Sequence, residues 1–250
     1  MNYKLQKEII GLICRSVRRD QNNIKDSSLK KGTEQSLPQK WAIRLTVEGN
    51  LRFLSHHDMM RALERTMSRA KLPLHFSQGF NPRPVMSLTL PRPVGVASKD
   101  DLLVVSLDEP IEPSQLLDQM GKASPKGMLP IAASPLEVGK SPRTKKALFQ
   151  LELDQDREET LSRRIAELSQ LQNWTIQRYV PGKGKAAPTT QPLDLKPMIA
   201  EIQIRDHSLL FTLTPINDSW ARPAEVLRLV GLEERIDLAR LVRTSVDYGL

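Results

Sequence analysis

The sequence predicts an α+β protein in which two units with the same order of elements, βαββαβ, follow one another. Two observations predict this class. Apolar residues alternate along several short segments, which is the period of a half-buried strand, and recur every three or four residues along others, which is the period of an amphipathic helix. The same order of segments then occurs twice between residues 41 and 250. A length of 250 residues is enough for two domains of ordinary size.

The first unit covers residues 41–137. It opens with a strand over 41–47, where alternate residues are apolar, and a turn then leads into a short extended stretch. Ser55 stands where a helix N-cap is expected, before apolar residues at helical spacing. The expected helices cover about 56–70 and 113–123, and the later extended segments cover 51–54, 74–77, 85–90, 102–107 and 128–133.

Residues 138–146 are predicted to be a linker, because they combine glycine and proline with four basic side chains. The second unit covers residues 147–250. Its expected strands cover 147–153, 174–180, 199–204, 209–214 and 241–246, its helices 156–171 and 222–230, and a long loop 181–197. We therefore expect two tandem ferredoxin-like units, each an antiparallel sheet with two helices on one face.

Residues 1–40 are predicted to be a flexible basic N-terminal extension, because they carry nine bases against four acids and few apolar anchors. No apolar run in the chain approaches the roughly 18 residues of a membrane-spanning helix, and 9–14 is too short for a secretory signal. We expect a cytoplasmic protein with no membrane contact. The single cysteine, Cys14, excludes a disulfide framework and an iron–sulfur cluster ligated by this chain alone.

Charge is distributed unevenly along the chain, whose formal net charge is +8. Residues 41–99 carry nine bases against three acids, whereas residues 100–137 carry two against seven. A concentrated basic surface favours a polyanion such as RNA, because each phosphate that a basic side chain neutralises releases counterions. Ordinary variation in surface charge is the alternative interpretation.

Two adjacent histidines, His56 and His57, lie where the chain enters the first predicted helix, and they are the candidate catalytic residues. A histidine exchanges protons near neutral pH, and Arg52 before a helix N-terminus can hold a phosphate. Binding or a structural role is the alternative, since Ser55 and Asp58 are explained by helix capping. A metal site is not expected, because adjacent side chains on a helix point in different directions.

Three arginines, Arg61, Arg65 and Arg69, recur at intervals of four and therefore form one row along the first predicted helix. Like charges at this spacing repel one another slightly, so the row contributes nothing to helix stability. It suits a track for backbone phosphates or a surface that faces an acidic protein, with plain solvation of arginine as the alternative.

The loop over 76–84 combines Phe80 and Arg83 with glycine, asparagine and two prolines. An aromatic ring and a guanidinium on a stiff loop can stack a nucleobase and pair with its phosphate, or present the loop to a protein. The alternative is that the phenylalanines pack in the core. A second glycine-rich loop supplies Lys183 and Lys185 for a phosphate contact, but it lacks the spacing of a nucleotide-hydrolysing Walker A motif.

The motifs at 51–65, 77–84 and 90–96, and more weakly those at 183–185, 222–223 and 243–244, resemble a known family. The sequence is similar to the bacterial radical-SAM-linked proteins, a family with a domain of unknown function, over roughly residues 41–247. The resemblance implies a working partnership with a radical S-adenosylmethionine (radical SAM) protein that has a cobalamin-binding-type domain, because family members are encoded beside such a protein or fused to it. This chain has His57 where the family usually has a hydrophobic residue.

No cofactor is expected in this chain, and the resemblance implies S-adenosylmethionine and an iron–sulfur cluster only in the partner. We expect a non-catalytic RNA-binding accessory protein that works with the radical SAM enzyme in RNA modification, with structured RNA as its ligand. The expected contact residues are Arg52, Arg61, Arg65, Arg69, Phe80, Arg83, Arg92, Lys183 and Lys185. Two alternatives stay open: a metal-independent RNA endonuclease in which His56 or His57 acts on a ribose 2′-hydroxyl, and a protein-interaction scaffold for the radical SAM partner.

Overall fold

The structure is a computed structural model that describes residues 37–182 and 187–249. These residues form a mixed α+β fold with a mainly antiparallel sheet and few helices, which confirms the predicted class. The strands are β1 Gln39–Val47, β2 Met86–Leu88, β3 Ala97–Leu107, β4 Met128–Pro135, β5 Lys146–Glu152, β6 Thr175–Val180, β7 Thr189–Asp194, β8 Ile199–Arg205, β9 Ser208–Leu213 and β10 Val242–Asp247. The predictions for residues 1–36 and for Lys183 and Lys185 lie outside the described residues.

Short helices connect these strands. They are α1 His56–Arg69, α2 Pro113–Ala123, α3 Gln155–Gln170, α4 Pro223–Leu229 and α5 Glu234–Asp237, with 3₁₀ turns at Gly49–Phe53 and Lys196–Met198. The helices predicted over 56–70, 113–123, 156–171 and 222–230 are thus confirmed to within about two residues at each end. In the described parts of the chain, no helix has both the length and the apolar character needed to cross a membrane.

One eight-stranded sheet runs through the described chain in the order β4-β1-β3-β10-β5-β9-β8, with β2 also beside β3. In the first half, β1 pairs antiparallel with β3 and β4, and β2 pairs antiparallel with β3. In the second half, β5 pairs antiparallel with β10 and β9, and β8 pairs antiparallel with β9. A short parallel pairing of β3 with β10 joins the halves. Strands β6 and β7 form a separate two-stranded sheet.

Each half has its own hydrophobic cluster. In the first half, alternate residues of β1 and β3 pack against buried residues of α1 and α2, among them Leu63 and Leu116. In the second half, Phe149 and Phe211 stack with ring centres 5.1 Å apart and an interplanar angle of 13°. Ala42 and Leu102 from the first half belong to the second cluster. The two halves therefore share apolar contacts as well as backbone pairing.

Buried charges lie where β3 meets β10. Arg243, whose side chain is 1% exposed, donates hydrogen bonds to Asp101 Oδ1 at 2.6 Å, to the Leu90 carbonyl at 2.8 Å and to Ser98 Oγ at 3.3 Å. The Arg92 side chain is also buried, with its Nε 3.8 Å from Asp101 Oδ2. Burial lowers the pKa of the Arg92 guanidinium; the charge of Asp101 opposes this shift and that of Arg243 adds to it. The Asp101 carboxylate is thus the counterion of two buried guanidiniums.

A second buried carboxylate, Asp100, strengthens the same junction. Its Oδ2 accepts a hydrogen bond from the Val246 backbone at 2.8 Å, and its carbonyl accepts one from the Tyr248 hydroxyl at 2.8 Å. Arg44 Nε donates to Asp100 Oδ1 at 2.8 Å, and this hydrogen bond raises the pKa of Arg44. Burial raises the pKa of Tyr248. These bonds tie β1 and β3 to the end of β10.

Three local predictions differ from the structure. Residues 51–54 were expected to be extended but lie in and directly after a 3₁₀ turn, which the Leu54 N–H closes on the Leu51 carbonyl at 3.1 Å. The predicted strand at 74–77 makes only isolated bridges. The predicted loop 181–197 contains β7, which a polar, mostly exposed sequence did not reveal. Its Asp194 carboxylate accepts a hydrogen bond from the Trp174 N–H at 2.7 Å, which fixes this strand beside β6.

Candidate nucleic-acid interface

Helix α1 has one buried and one exposed side. Ser55 is its N-cap, as expected, and its Oγ accepts a hydrogen bond from the Asp58 N–H at 3.2 Å. Met59, Leu63 and Met67 are buried against the sheet. Because residues four apart share a helix face, the positions two residues beyond these point away from the core.

Those outward positions are the arginine row, defined as Arg61, Arg65 and Arg69, and all three side chains are exposed. Arg61 makes a long pair with Asp58, 3.4 Å from Nη1 to Oδ1, in which both groups are more than half exposed. Arg69 donates a hydrogen bond to the Ala123 carbonyl at 2.9 Å. Within the described residues, Arg65 has no ion-pair partner. The row therefore keeps most of its positive charge available to a ligand.

A shallow groove of about 480 Å³ lies along the row and is lined by its three arginines with Glu64 and Ser68. At the C-terminal end of α1, a second groove of about 420 Å³ brings Lys71 and Lys122 beside Arg69. Lys122 lies on α2 and was missed in the sequence, because only the contact between the ends of α1 and α2 places it next to the row. The basic surface is thus longer than the sequence predicts.

The corner, defined as residues 52–57, leads into α1 and includes its first two residues. The Arg52 guanidinium lies 4.8 Å from the centre of the half-exposed Phe53 ring. The rings of His56 and His57 are both exposed, with centres 5.8 Å apart. Among the described residues, no carboxylate forms a hydrogen bond with either imidazole. The corner offers a partly exposed guanidinium and exposed aromatic groups. In the part of the chain that the structure describes, neither histidine has the carboxylate that commonly orients a catalytic imidazole.

The finger, defined as residues 75–85, follows α1 and carries Phe80 and Arg83. The Val85 N–H donates to the His75 carbonyl at 2.9 Å, and the Ser77 N–H donates to the Arg83 carbonyl at 2.8 Å. The His75 N–H donates to the Ser106 carbonyl and the Ser106 N–H donates to the Val85 carbonyl, both at 2.9 Å, and these bonds tie the base of the finger to β3. Phe80 at the tip is fully exposed. The alternative that this ring packs in the core is therefore wrong.

Helix α1 sets the arrangement of these groups. With 14 residues it is about 21 Å long. The corner leads into the helix and includes its first two residues, the arginine row runs along it, and the finger begins six residues after its end. The helix therefore carries the arginine row, and the corner and the finger adjoin its two ends in the chain.

Two of the predicted contact residues, Arg92 and Arg52, are partly or wholly buried. Arg92 does not share the exposed surface: its side chain is 3% exposed, donates a hydrogen bond to the Leu51 carbonyl at 2.9 Å and lies beside Asp101. Its role in the structure is to hold the 3₁₀ turn before α1 against β3, and it cannot reach a surface ligand. Arg52 lies on the corner, but its Nε is buried and has no hydrogen-bond partner.

A histidine–carboxylate pair at the base of the finger was missed in the sequence. His75 Nδ1 lies 2.6 Å from Asp108 Oδ1, with the imidazole 29% exposed. These residues are 33 positions apart, so no local motif signals the pair. It fixes the stem of the finger to the end of β3.

Two larger cavities lie elsewhere. One of about 540 Å³ is lined mainly by residues 134–143, and an apolar one of about 550 Å³ lies between the start of β1 and residues 107–110 and 136–139. Neither contains the corner, the arginine row or Phe80. Within the described residues, no three His, Cys, Asp or Glu side chains are grouped to hold a metal ion.

Residues 40–228 match the family described as uncharacterized protein conserved in bacteria (DUF2344). The chain belongs to this family. The expectation of a bacterial domain of unknown function is confirmed, and the match to the family covers the corner, the arginine row and the finger. No curated protein matches the sequence.

Proposed function

We propose that this protein is a non-catalytic RNA-binding accessory protein that acts in the cytoplasm with a radical SAM enzyme in RNA modification. The observation that carries the proposal is the arginine row on the exposed side of α1. Three guanidiniums at helical spacing, extended by Lys71 and Lys122, form a basic track. Three acids lie along it: Glu64 lines the groove, Asp58 pairs with Arg61 and Asp118 pairs with Lys122, so five cations face three carboxylates. Arginine side chains bind phosphate oxygens through several donors at once, and a polyanion gains from releasing its counterions.

A comparison with other exposed arginines supports this interpretation. Arg163, Arg205 and Arg228 each lie within 3.6 Å of a carboxylate near in sequence. Arg61 resembles them, with Asp58 at 3.4 Å. Arg65 has no such carboxylate within the described residues, and Arg69 is bonded only to neutral oxygen acceptors. Two of the three arginines of the row therefore keep a positive charge that no nearby carboxylate compensates.

The proposed partnership rests on the sequence. The motifs of the corner, the finger and the segment before β3 resemble those of radical-SAM-linked proteins. An iron–sulfur cluster of the radical SAM type needs several cysteine ligands, and this chain has one cysteine. S-adenosylmethionine and the cluster would accordingly belong to the partner, with its cobalamin-binding-type domain, while this chain holds the RNA.

We also propose that residues 41–137 and 147–250 are two ferredoxin-like units joined by the 138–146 linker. The strand orders β4-β1-β3-β2 and β10-β5-β9-β8 support this proposal, because the two orders correspond strand by strand when β6 and β7 are treated as an insertion. The helices of the first half follow β1 and β3, and those of the second half follow β5 and β9, in the order βαββαβ.

The test is crosslinking of the tagged full-length protein in its native cells, with sequencing of bound RNA and mass spectrometry of bound protein from one sample. The variant Arg61→Ala/Arg65→Ala/Arg69→Ala is compared with the control Arg163→Ala/Arg205→Ala/Arg228→Ala, which removes the same charge elsewhere. We expect the wild type and the control to recover a defined RNA together with the radical SAM enzyme. The row variant should keep the enzyme and lose the RNA.

Two outcomes contradict the proposal. Recovery of the enzyme without RNA would make the chain a protein-interaction scaffold. Equal loss of RNA from the row variant and the control would mean that the row has no specific role. The endonuclease alternative is tested separately, since the exposed His56 and His57 rings are close enough to act on one phosphodiester: cleavage of an RNA pool by purified protein in chelator, abolished by His56→Ala, would replace an accessory role with catalysis.

A further inference from the structure

The phenylalanine at the tip of the finger, Phe80, has no specific role in the function proposed above. Phe80 is fully exposed, whereas the other four phenylalanines are buried or about half exposed. Leaving a phenylalanine ring in water forgoes the favourable free energy that burying such a side chain contributes. A single exposed apolar side chain needs no explanation by itself. A projecting tip, however, places this ring where a binding partner can cover it, and aromatic side chains are enriched in interfaces.

The finger holds this ring on a fixed stem. Backbone hydrogen bonds between the two sides of the stem are supplemented by the Ser77 hydroxyl, which accepts one from the Arg83 N–H at 3.1 Å. The His75–Asp108 pair and the bonds to Ser106 fix the base to β3. The stem that carries the ring is therefore already ordered, and it loses little conformational freedom when the finger binds.

The chemistry around the ring favours a nucleobase over an apolar protein pocket. Gln78, Asn81 and Arg83 are exposed beside Phe80, and within the described residues their side chains form no hydrogen bond or ion pair. Amide groups can pair with the edges of a base, and a guanidinium can pair with its phosphate, while the aromatic ring stacks on its face. Pro82 and Pro84 have no backbone N–H, so they provide no backbone hydrogen-bond donors beside the ring.

The location of the finger connects it to the arginine row. The basic groove at the end of α1 contains Arg69, Lys71 and Lys122, and the finger begins four residues after Lys71. Four residues span at most about 14 Å, so an RNA strand that follows the row toward this end comes within that distance of the base of the finger. A base within a continuous duplex presents no free face, so the partner of Phe80 must be unpaired.

We propose that the finger binds one unpaired nucleotide of the RNA, with Phe80 stacked on its base and Arg83 on its phosphate. This inference rests on the proposed function, and it adds that the substrate is an RNA in which an unpaired or extruded nucleotide adjoins a backbone held by the arginine row. The arginine row on α1 supplies affinity for the RNA backbone. The finger selects the position on the RNA, which is the site of the unpaired nucleotide.

The experiment measures the affinity of the full-length protein for two RNA hairpins of equal length, one fully paired and one with a single-nucleotide bulge. We expect the wild type to prefer the bulged hairpin and Phe80→Ala to weaken binding to it by roughly 5- to 150-fold, the fold-change that corresponds to the loss of one base–aromatic stack. Binding to the paired hairpin should not change. Val138→Ala, a substitution of another almost fully exposed apolar side chain, is the control and should change neither affinity.

Two conservative variants separate stacking from simple apolar burial. Phe80→Tyr keeps the aromatic face and should retain the preference for the bulge, whereas Phe80→Leu keeps an apolar side chain of similar volume and should lose it. Equal affinity of Phe80→Leu and the wild type for the bulged hairpin would overturn the proposal in favour of a protein pocket. If the Phe80 variants bind both hairpins like the wild type while the row variant fails, the finger claim is wrong and the proposed function stands. If the wild type binds neither hairpin, both are wrong.

Discussion

Replacement of Asp101 by asparagine tests the buried charge network that joins the two halves. Asp101 is the carboxylate that both Arg243 and Arg92 approach, and all three side chains are at most 3% exposed. Asparagine preserves the shape and one oxygen acceptor but removes the negative charge. The variant would therefore leave two guanidiniums buried with no counterion between them.

The expected loss of stability follows from this arrangement. Removing one partner of a buried ion pair costs about 3 to 5 kcal/mol, because the remaining charge stays desolvated. Hydrogen bonds from Arg243 to Ser98 and to the Leu90 carbonyl are retained and offset part of the cost. We therefore expect a loss near the lower end of the range, about 3 kcal/mol in the free energy of unfolding.

The assay is urea denaturation near neutral pH, followed by circular dichroism. Asp118→Asn is the matched control, because it breaks the pair with Lys122 at 2.6 Å on the exposed side of α2. An exposed pair of this kind contributes about 0.5 kcal/mol or less. If Asp101→Asn and Asp118→Asn lower stability equally, the proposed energetic role of the buried network is wrong.

Three further predictions concern single sites. Gly127→Ala should cost at least about 1 kcal/mol in a urea titration, since φ is +94° and its Cβ would lie 2.6 Å from the Glu48 carbonyl oxygen; an unchanged midpoint would contradict this. Ser55→Ala should cost about 1 kcal/mol by removing the N-cap of α1, whereas no loss would show that the cap is not used. A hydrogen bond from Arg240 lowers the pKa of Asp154 from its ordinary 3.8, so the pair stabilises the fold above that pH and the contribution is lost as the pH falls through the folded-state pKa. Asp154→Asn should therefore reduce the melting temperature near pH 7, and this reduction should shrink as the pH falls below 3.8. A reduction that does not change with pH would contradict the assignment.

Local patterns in the sequence were sufficient for most elements of the fold. The N-cap at Ser55 and the helical spacing after it predict α1 to within one residue, since capping and amphipathic periodicity are encoded within one segment. Strand β7 could not be found in this way, because its residues are mostly polar and exposed and its pairing with β6 decides its conformation. The 3₁₀ turn before α1 was missed for the same reason: Gly49 at a φ of +59° and a tertiary bond from Arg92 shape it.

The same distinction applies to the candidate interface. A helical row such as Arg61, Arg65 and Arg69 can be predicted because one helix determines its geometry. The burial of Arg92 could not be predicted, because the sequence shows only a basic residue between two prolines. Its counterion, Asp101, lies on a different element. Lys122 illustrates the reverse case, in which contact between two helices adds a cation that no motif marks.

The salt dependence of RNA binding tests the central claim most directly. Affinity of the purified full-length protein for a structured RNA is measured over a series of salt concentrations for the wild type, the row variant and the control that lacks Arg163, Arg205 and Arg228. If the arginine row binds phosphates, the slope of log affinity against log salt should become shallower by about 2 to 3 in the row variant and by less than about 1 in the control. A wild-type affinity that does not depend on salt, or equal slopes for the wild type and the row variant, would contradict the account.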